Sequence, residues 1–402
     1  MRNVIKLIFE LAGLPIFFLA GFIPRSKRLW VFGAWHGKRY ADNARFLFEN
    51  VSDTVEDVNA VWISKNPDVV ATIRAHGRTA YSIRTFRGAW IAARASAYFV
   101  THGRGDISGV CSNGAWVAHL THGTPIKRII NDKVSTRFGA LTDIFDRTIR
   151  VLLPSYRPPS DILVASEFAK SRFRTAYGVS EERVIPTGYA RWVPLHKPGV
   201  ATSVRDLARR VEGASTVILY APTQRRAGRH GLGISEIGGF EQLTEWLEHS
   251  DSLLLVRPHI SLTLEDEADV LARGRGRILL VPSAEYSDVN EVMQVADVIV
   301  SDYSSVVFDF AVLKRPIIML AHDLEDYKAN DVGVYGDYER DFDGMIAKSW
   351  VEVIRLVQNR SDAIFLRAME RFQAAHLEFA DGMECSRIVS LAIRKVSGDC
   401  RE

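Results

Sequence analysis

Short runs of β-branched and aromatic residues alternate with stretches of helical periodicity along most of the chain. LWVFGAW (29–35), AVWIS (60–64), AYFVTHG (97–103), WVAHLTHG (116–123) and DILVASE (161–167) make a first set. TVILYAPTQR (216–225), LLLVRPHI (253–260), RILLVPS (277–283), DVIVSDYSS (297–305) and RPIIML (315–320) make a second. Runs this apolar predict parallel strands covered on both faces, with a helix crossing over between successive strands. The polar stretch Pro194–Ser203 breaks the rhythm, so the pattern reads as two α/β domains, 29–198 and 199–402, behind a leader at 1–28.

Each predicted strand runs out into a polar loop, and open α/β sheets bind ligands outside the carboxyl ends of their strands. Two such domains facing one another would set the loop Thr121–Lys127 opposite the loops of Thr223, His259 and Ser304. No low-complexity tract and no repeat of solenoid period interrupts this reading.

The leader segment Val4–Ile23 has the length of a bilayer span, but Lys6, Glu10 and Pro15 interrupt it. It runs without a processing boundary into the first predicted strand, which argues against a signal peptide. Arg2, Lys6, Arg25, Lys27 and Arg28 flank its apolar residues. The pattern therefore predicts an amphipathic segment lying on a membrane, its cations among anionic headgroups. The alternative is a pair of short helices packed on the protein's own surface. A second basic stretch, 127–157, interleaves Lys127, Arg128, Lys133, Arg137, Arg147, Arg150 and Arg157 with apolar groups. It reads equally as a surface-seeking helix or as a solvated one with a core-facing stripe.

Composition narrows the partners. The 402 residues are 47% hydrophobic and 25% charged, enough apolar material for two cores, and the net charge of +3 gives no global field for nucleic acid. Cys111, Cys385 and Cys400 are scattered and odd in number, which excludes a disulfide framework and a clustered cysteine metal site and suits a reducing compartment.

SDYSSVVFDF (301–310) is the most suggestive chemical feature. Asp302 or Ser304 at a helix start, with the hydroxyls of Ser304 and Ser305 beside free backbone N–H groups, suits a phosphate; an ordinary cap on a core helix fits the same residues. His122 in THGTPIK follows an apolar strand, with Gly123 permitting a sharp turn and Lys127 supplying a cation, a setting for a base acting near anionic substrates. His102 and His119 lie close enough in sequence to compete for that role. Arg257 and His259 close another strand, and Arg225 with Arg226 a third, offering cations for a diphosphate. The sequence lacks GxxxxGK[ST], a GxGxxG after the first strand, HExxH, paired CxxC and GxSxG. ATP hydrolysis, dinucleotide cofactors, zinc hydrolysis and serine hydrolase chemistry lose support accordingly.

Taken in order, GAWHGKRYADNARFLFE (33–49), THGTPIK (121–127), VASEF (164–168), YAPTQR (220–225), RPHI (257–260) and DVNEVMQVADVIVSDYSSVVFDF (288–310), followed by KRPIIML and HDLEDY, resemble the CDP-glycerol glycerophosphotransferases that build teichoic acids and related polymers. The resemblance runs nearly the length of the chain. It implies two Rossmann-like domains of the glycosyltransferase B type facing a cleft, the first on the acceptor side and the second binding the donor. It also implies monotopic attachment to the cytoplasmic face of the cell membrane, and transfer of a polyol phosphate from a CDP-activated donor to a lipid-linked or polymer acceptor, with release of CMP.

On the same resemblance His122 is the base that deprotonates the acceptor hydroxyl and His259 a second essential histidine near the transferring phosphate. Ser301, Asp302, Ser304 and Ser305 hold the donor diphosphate, with Thr223, Arg225 and Arg257 in the same cleft; Gly123, Thr124 and Lys127 belong to the acceptor and phosphate side. Positioning, one proton transfer and charge stabilisation then suffice, without a metal or other cofactor. The chain departs from the family pattern at Gln224, Ala190 and Ile260, which leaves glycerol as the default polyol and ribitol or another as the alternative. Two further readings compete: a nucleotide-sugar glycosyltransferase of the same fold, and a non-catalytic membrane scaffold. A primase and a polymerase would share every motif.

Overall fold

The computed structural model describes residues 10–132, 152–197, 199–223, 233–258 and 264–398, the side chains of 264–266 excepted. By its contacts the chain divides into two units. One holds the described residues of Met1–His122, Ser135–Val193 and Phe379–Glu402, the other those of Gly123–Val134 and Pro194–Glu378.

The first unit is built on seven strands: β1 (Ser26–Gly33), β2 (Asn59–Ser64), β3 (Ala80–Ser82), β4 (Ala95–Val100), β5 (Trp116–His119), β6 (Asp161–Val164) and β7 (Val184–Pro186). Their order is β3-β2-β1-β4-β5-β6-β7, with every neighbouring pair parallel. The apolar runs are continuous because both faces are covered. Successive residues of a strand point to opposite sides, so Trp30 and Phe32 of β1 join one core with Phe48, Trp62 and Phe99. Val31 between them joins a second core with Ile63, Tyr98 and Val100. The rings of Phe32 and Phe99 stack at 4.7 Å, and each such fully buried side chain contributes about 1.5–3 kcal/mol.

Helix starts follow local chemistry. Asn66 accepts from Asp68 N at the head of Pro67–Ala75, and Thr85 from Gly88 N at the head of Phe86–Arg94. The final helix, Glu384–Ser397, belongs to this unit although it lies far along the chain. Gly188, at φ +75°, lets it approach: a Cβ there would lie 2.5 Å from both Glu384 Cγ and Phe379 O. In the leader, Leu14–Ala20 forms a seven-residue helix that buries Phe17 and Ala20 and leaves Ile16, Phe18 and Leu19 exposed, with Phe22 beyond it 85% exposed. No helix among the described residues is long and apolar enough to cross a membrane. Of the basic stretch 127–157, residues 133–151 lie outside the described residues, as does the start of the leader, 1–9.

The second unit repeats the plan with β8 (Val217–Ala221), β9 (Leu253–Val256), β10 (Ile278–Leu280), β11 (Val298–Ser301), β12 (Ile317–Leu320) and β13 (Ile346–Ala347). Their order is β10-β9-β8-β11-β12-β13, again parallel throughout. The α/β expectation with parallel sheets holds in both units.

Candidate active site

In both sheets the strand order reverses once, between β1 and β4 in the first unit and between β8 and β11 in the second. That reversal opens a crevice at the carboxyl ends of the two strands, where the crossover helices part to opposite faces. His122 lies on a loop of the first unit, after β5, and Thr223, Ser301 and Asp302 lie at the reversal in the second.

In the first unit the backbone there is strained. Trp35 and His36 after β1, Asp42 at the next helix start, and Thr121 after β5 all hold φ between 51° and 67°. Left-handed conformations cost non-glycine residues roughly 1–3 kcal/mol each, so the surrounding contacts must hold them. Asp106 is one such contact. Its buried carboxylate accepts from His36 N at 2.7 Å, and from Thr101 N and His102 N at 2.8 Å each. Burial pushes its carboxyl up, and those three N–H groups pull it back.

The loops so fixed carry three histidines. The ring of His102 stacks on that of His122 with centroids 4.6 Å apart and planes 7° from parallel, and His36 lies 5.1 Å from His102 on centroids. Burial, then the neighbouring His122, push His102 down to about 3, so it is neutral at pH 7. Its Nδ1 meets Thr101 Oγ1 at 2.9 Å. His119 inside β5 is likewise pushed down to about 3 by burial. Its Nδ1 accepts from Thr121 N at 3.2 Å, which puts the proton on Nε2 facing Tyr177 Oη. His119 is therefore a buried structural residue, whereas His122 is exposed.

Asn43 fixes the chain just before His122. Its Nδ2 donates to Leu120 O at 3.0 Å and Thr121 O at 3.2 Å, and its Oδ1 accepts from Arg191 N. Asp42 beside it forms a buried ion pair of 2.5 Å with Arg191. Sequence reasoning assigned no role to Asp42, Asn43 and Asp106, whose bonds to Arg191, Leu120 and His36 span 70 residues or more, and set His102 beside His122 only as a competing histidine. The strand-end position of His102 was the one available signal.

Gly123, Thr124 and Lys127 group with the second unit. Gly123 holds φ 134°, Thr124 is buried, and Lys127 makes an isolated antiparallel bridge to Val334 while its side chain is exposed.

At the β8–β11 reversal the structure brings Thr223, Ser301 and Asp302 together. Asp302 Oδ1 accepts from Thr223 N at 2.9 Å and from Tyr303 N at 2.6 Å, and Ser301 Oγ donates to Ala221 O at 2.6 Å. Of the two residues expected at the start of the following helix, Val306–Ala311, Asp302 does not cap it. Its carboxylate instead serves the N–H of the neighbouring strand's end, and Ser305 occupies the cap position without a side-chain bond. Ser304 Oγ accepts from Val306 N at 3.4 Å, and both serines are part-exposed. Arg257 Nη1 turns inward and donates to Val281 O and Tyr286 O. Arg225 and His259 lie outside the described residues, as do Gln224 and Ile260. Among the described residues no group of three or more His, Cys, Asp or Glu side chains is placed to hold a metal ion.

The sequence pattern of the family described as CDP-Glycerol:Poly(glycerophosphate) glycerophosphotransferase matches residues 16–394. The teichoic acid glycerol-phosphate transferase of Staphylococcus aureus is 27% identical over 403 aligned positions, covering 96% of this chain and 98% of that protein. The teichoic acid poly(glycerol phosphate) polymerase of Bacillus spizizenii is 26% identical, covering 85% and 86%. The solved structure of the wall teichoic acid polymerase TagF matches with a TM-score of 0.74 at 20% identity, over 100% of this chain and 98% of that one, which shows a common fold.

Proposed function

This chain belongs to the CDP-glycerol:poly(glycerophosphate) glycerophosphotransferase family, and from that premise we propose that it transfers glycerol phosphate from CDP-glycerol to a hydroxyl of a lipid-linked or polymer acceptor, releasing CMP, in the building of a teichoic acid or capsule-type polymer. The observation that carries the reading is the family match over 16–394 together with an exposed histidine at the end of β5, set against a stacked neutral neighbour. In this reading the two units are the Rossmann-like domains of a glycosyltransferase B type enzyme, the first serving the acceptor and the second the CDP-polyol; the division expected at 198/199 is shifted, since 123–134 group with the second unit and 379–402 with the first.

His122 is the base. Its Nδ1 faces Thr101 O at 3.4 Å, which favours a proton on Nδ1 and makes Nε2 the nitrogen that takes the acceptor's proton. The acceptor oxygen attacks the distal phosphorus of the donor in line, its bond to phosphorus forming as the bond to the CMP oxygen breaks. The part-exposed hydroxyls of Ser304 and Ser305 hold the donor diphosphate, while Ser301, Asp302 and Thr223 keep that loop in place. Arg225, His259 and Arg257 complete the donor side, Gly123, Thr124 and Lys127 the acceptor side, and the reaction needs no resident metal. The enzyme works as a peripheral protein at the cytoplasmic membrane face, a reading supported by the exposed apolar side of the leader helix.

The test measures CMP release from CDP-glycerol in the presence of a lipid-linked acceptor. His122→Ala is expected to lower the rate by at least about 100-fold, the usual contribution of a general base. Full activity in that variant removes the proposed base. Turnover of nucleotide sugars without turnover of CDP-glycerol or CDP-ribitol overturns the donor.

A further inference from the structure

A cavity of about 280 Å³ lies at the root of the leader helix and is lined by Phe17, Arg104, Ser112, Asn113, Arg157 and Arg183 among others. Three guanidinium groups line it. Their described partners are neutral: Arg104 reaches Ser112 Oγ at 2.8 Å and Pro158 O at 3.2 Å, Arg183 reaches Ser160 O at 2.8 Å, and Arg157 lies 4.9 Å over the Phe17 ring. Arg104 Nε is buried with no hydrogen-bond partner. Among the described residues no carboxylate forms an ion pair with any of the three. Glu182, which senses Arg183, is exposed and bonded to Ser180.

Converging cations with no counter-charge are costly to hold together. Burial and then the charges of Arg157, Arg183 and Arg25 push Arg104 down to about 10. An anion in the cavity relieves that repulsion, and a tetrahedral phosphate offers the acceptor oxygens that guanidinium forks match. The surroundings say where such a group resides. The leader helix over the cavity turns Ile16, Phe18 and Leu19 outward, and Leu152 and Tyr156 are exposed on the chain leading to Arg157. Glu10 of the leader accepts from Ser155 N, tying the two segments together. Apolar side chains around a basic cavity match the depth profile of a bilayer surface, where phosphate lies just above the acyl chains.

We propose that Arg104, Arg157 and Arg183 form a binding site for one phosphate group, of the kind carried by anionic lipid headgroups or by a free phosphomonoester. The site extends the membrane reading above and rests on it only for the source of the phosphate.

The full chain is tested by flotation with vesicles of phosphatidylcholine alone and of phosphatidylcholine with phosphatidylglycerol, and by melting with and without glycerol 3-phosphate or inorganic phosphate. Arg157→Gln removes one cation that has no described hydrogen bond to the fold. Arg275→Gln, at an exposed pair with Glu248, removes the same charge elsewhere. Phe22→Ser removes an exposed apolar side chain of the leader. Arg157→Gln is expected to weaken binding to the anionic vesicles roughly tenfold, with phosphatidylcholine binding unchanged and the melting temperature unchanged or raised as the repulsion on Arg104 is relieved, and Arg275→Gln to leave vesicle binding unchanged. A rise in melting temperature with soluble phosphate that Arg157→Gln abolishes supports the site with a free phosphate as its ligand. Loss confined to anionic vesicles supports a lipid headgroup. If Phe22→Ser binds vesicles normally while Arg157→Gln loses its anionic preference, the site stands and the apolar anchor falls. An Arg157→Gln protein that melts normally and keeps the full preference for anionic vesicles and any phosphate response overturns the site.

Discussion

The two sheets reverse their strand order in the same way, yet they treat the reversal differently. In the first unit the loops leaving β1 and β5 hold strained left-handed residues, and they expose His36 and His122 beside a half-buried neutral His102 on the loop leaving β4. In the second, Ser301, Asp302 and Tyr303 spend their polar atoms on the unit itself; Tyr303 donates to Asp323 and stacks on Tyr327. Ser304 and Ser305 are left part-exposed there, as is Thr223. On the proposed function, one end moves a proton and the other stays rigid while hydroxyls and N–H groups meet a phosphate. That contrast follows from the demands of base catalysis and of diphosphate binding.

The sharpest way to break the contrast is at Asp106. Asp106→Ala deprives three backbone N–H groups of a charged acceptor, and the loss is expected to reach about 3–4 kcal/mol, since bonds to a charged group contribute about 1.5–3 kcal/mol each and do not add fully. Urea melts measure it. A loss below about 1 kcal/mol shows that the loop holds its own strain.

Acid probes the same region. His102 and His119 sit at about 3 in the folded protein, against about 6.5 in an unfolded chain. Both are bases pushed down, so the unfolded chain takes up protons first as pH falls. Their contribution is complete above about pH 6.5 and is lost progressively towards pH 3, at up to about 1.4 kcal/mol per pH unit for each. Melting at pH 7.5 and pH 5.0 should therefore differ, and His119→Gln should flatten the difference. An unchanged slope in that variant means His119 is not buried neutral.

Asn43→Ala is the next smaller disturbance, because it frees the carbonyls of Leu120 and Thr121 without touching His122. A roughly tenfold drop in turnover with KM for CDP-glycerol held is expected, since small misplacement of a catalytic group is costly. A change confined to KM would place Asn43 in donor binding instead.

These supports also mark what a sequence makes legible. The long apolar strands were readable because a buried parallel strand leaves a continuous run. The edge strands Ala80–Ser82, Val184–Pro186 and Ile346–Ala347 are too short to show a period. The return of Glu384–Ser397 to the first unit depends on a close approach at Gly188, which local pattern does not encode. His122 stood out by its position after an apolar run. Asn43 and Asp106 did not, because what makes them matter is a bond to Leu120 or His36, some seventy residues distant.

The finest test compares two serines of one loop. Ser301 is fully buried and bonded to Ala221 O, so Ser301→Ala is expected to cost about 1 kcal/mol of stability and leave KM for CDP-glycerol alone. Ser304 is part-exposed, with only a 3.4 Å contact to Val306 N. Ser304→Ala should therefore change stability by less than about 0.5 kcal/mol. On the proposed reading it should raise KM about threefold to tenfold, the loss of one hydrogen bond to a charged ligand. If instead Ser301→Ala shifts KM and Ser304→Ala only stability, the second unit turns its buried polar groups outward when donor binds, and the contrast between a strained end and a rigid one fails.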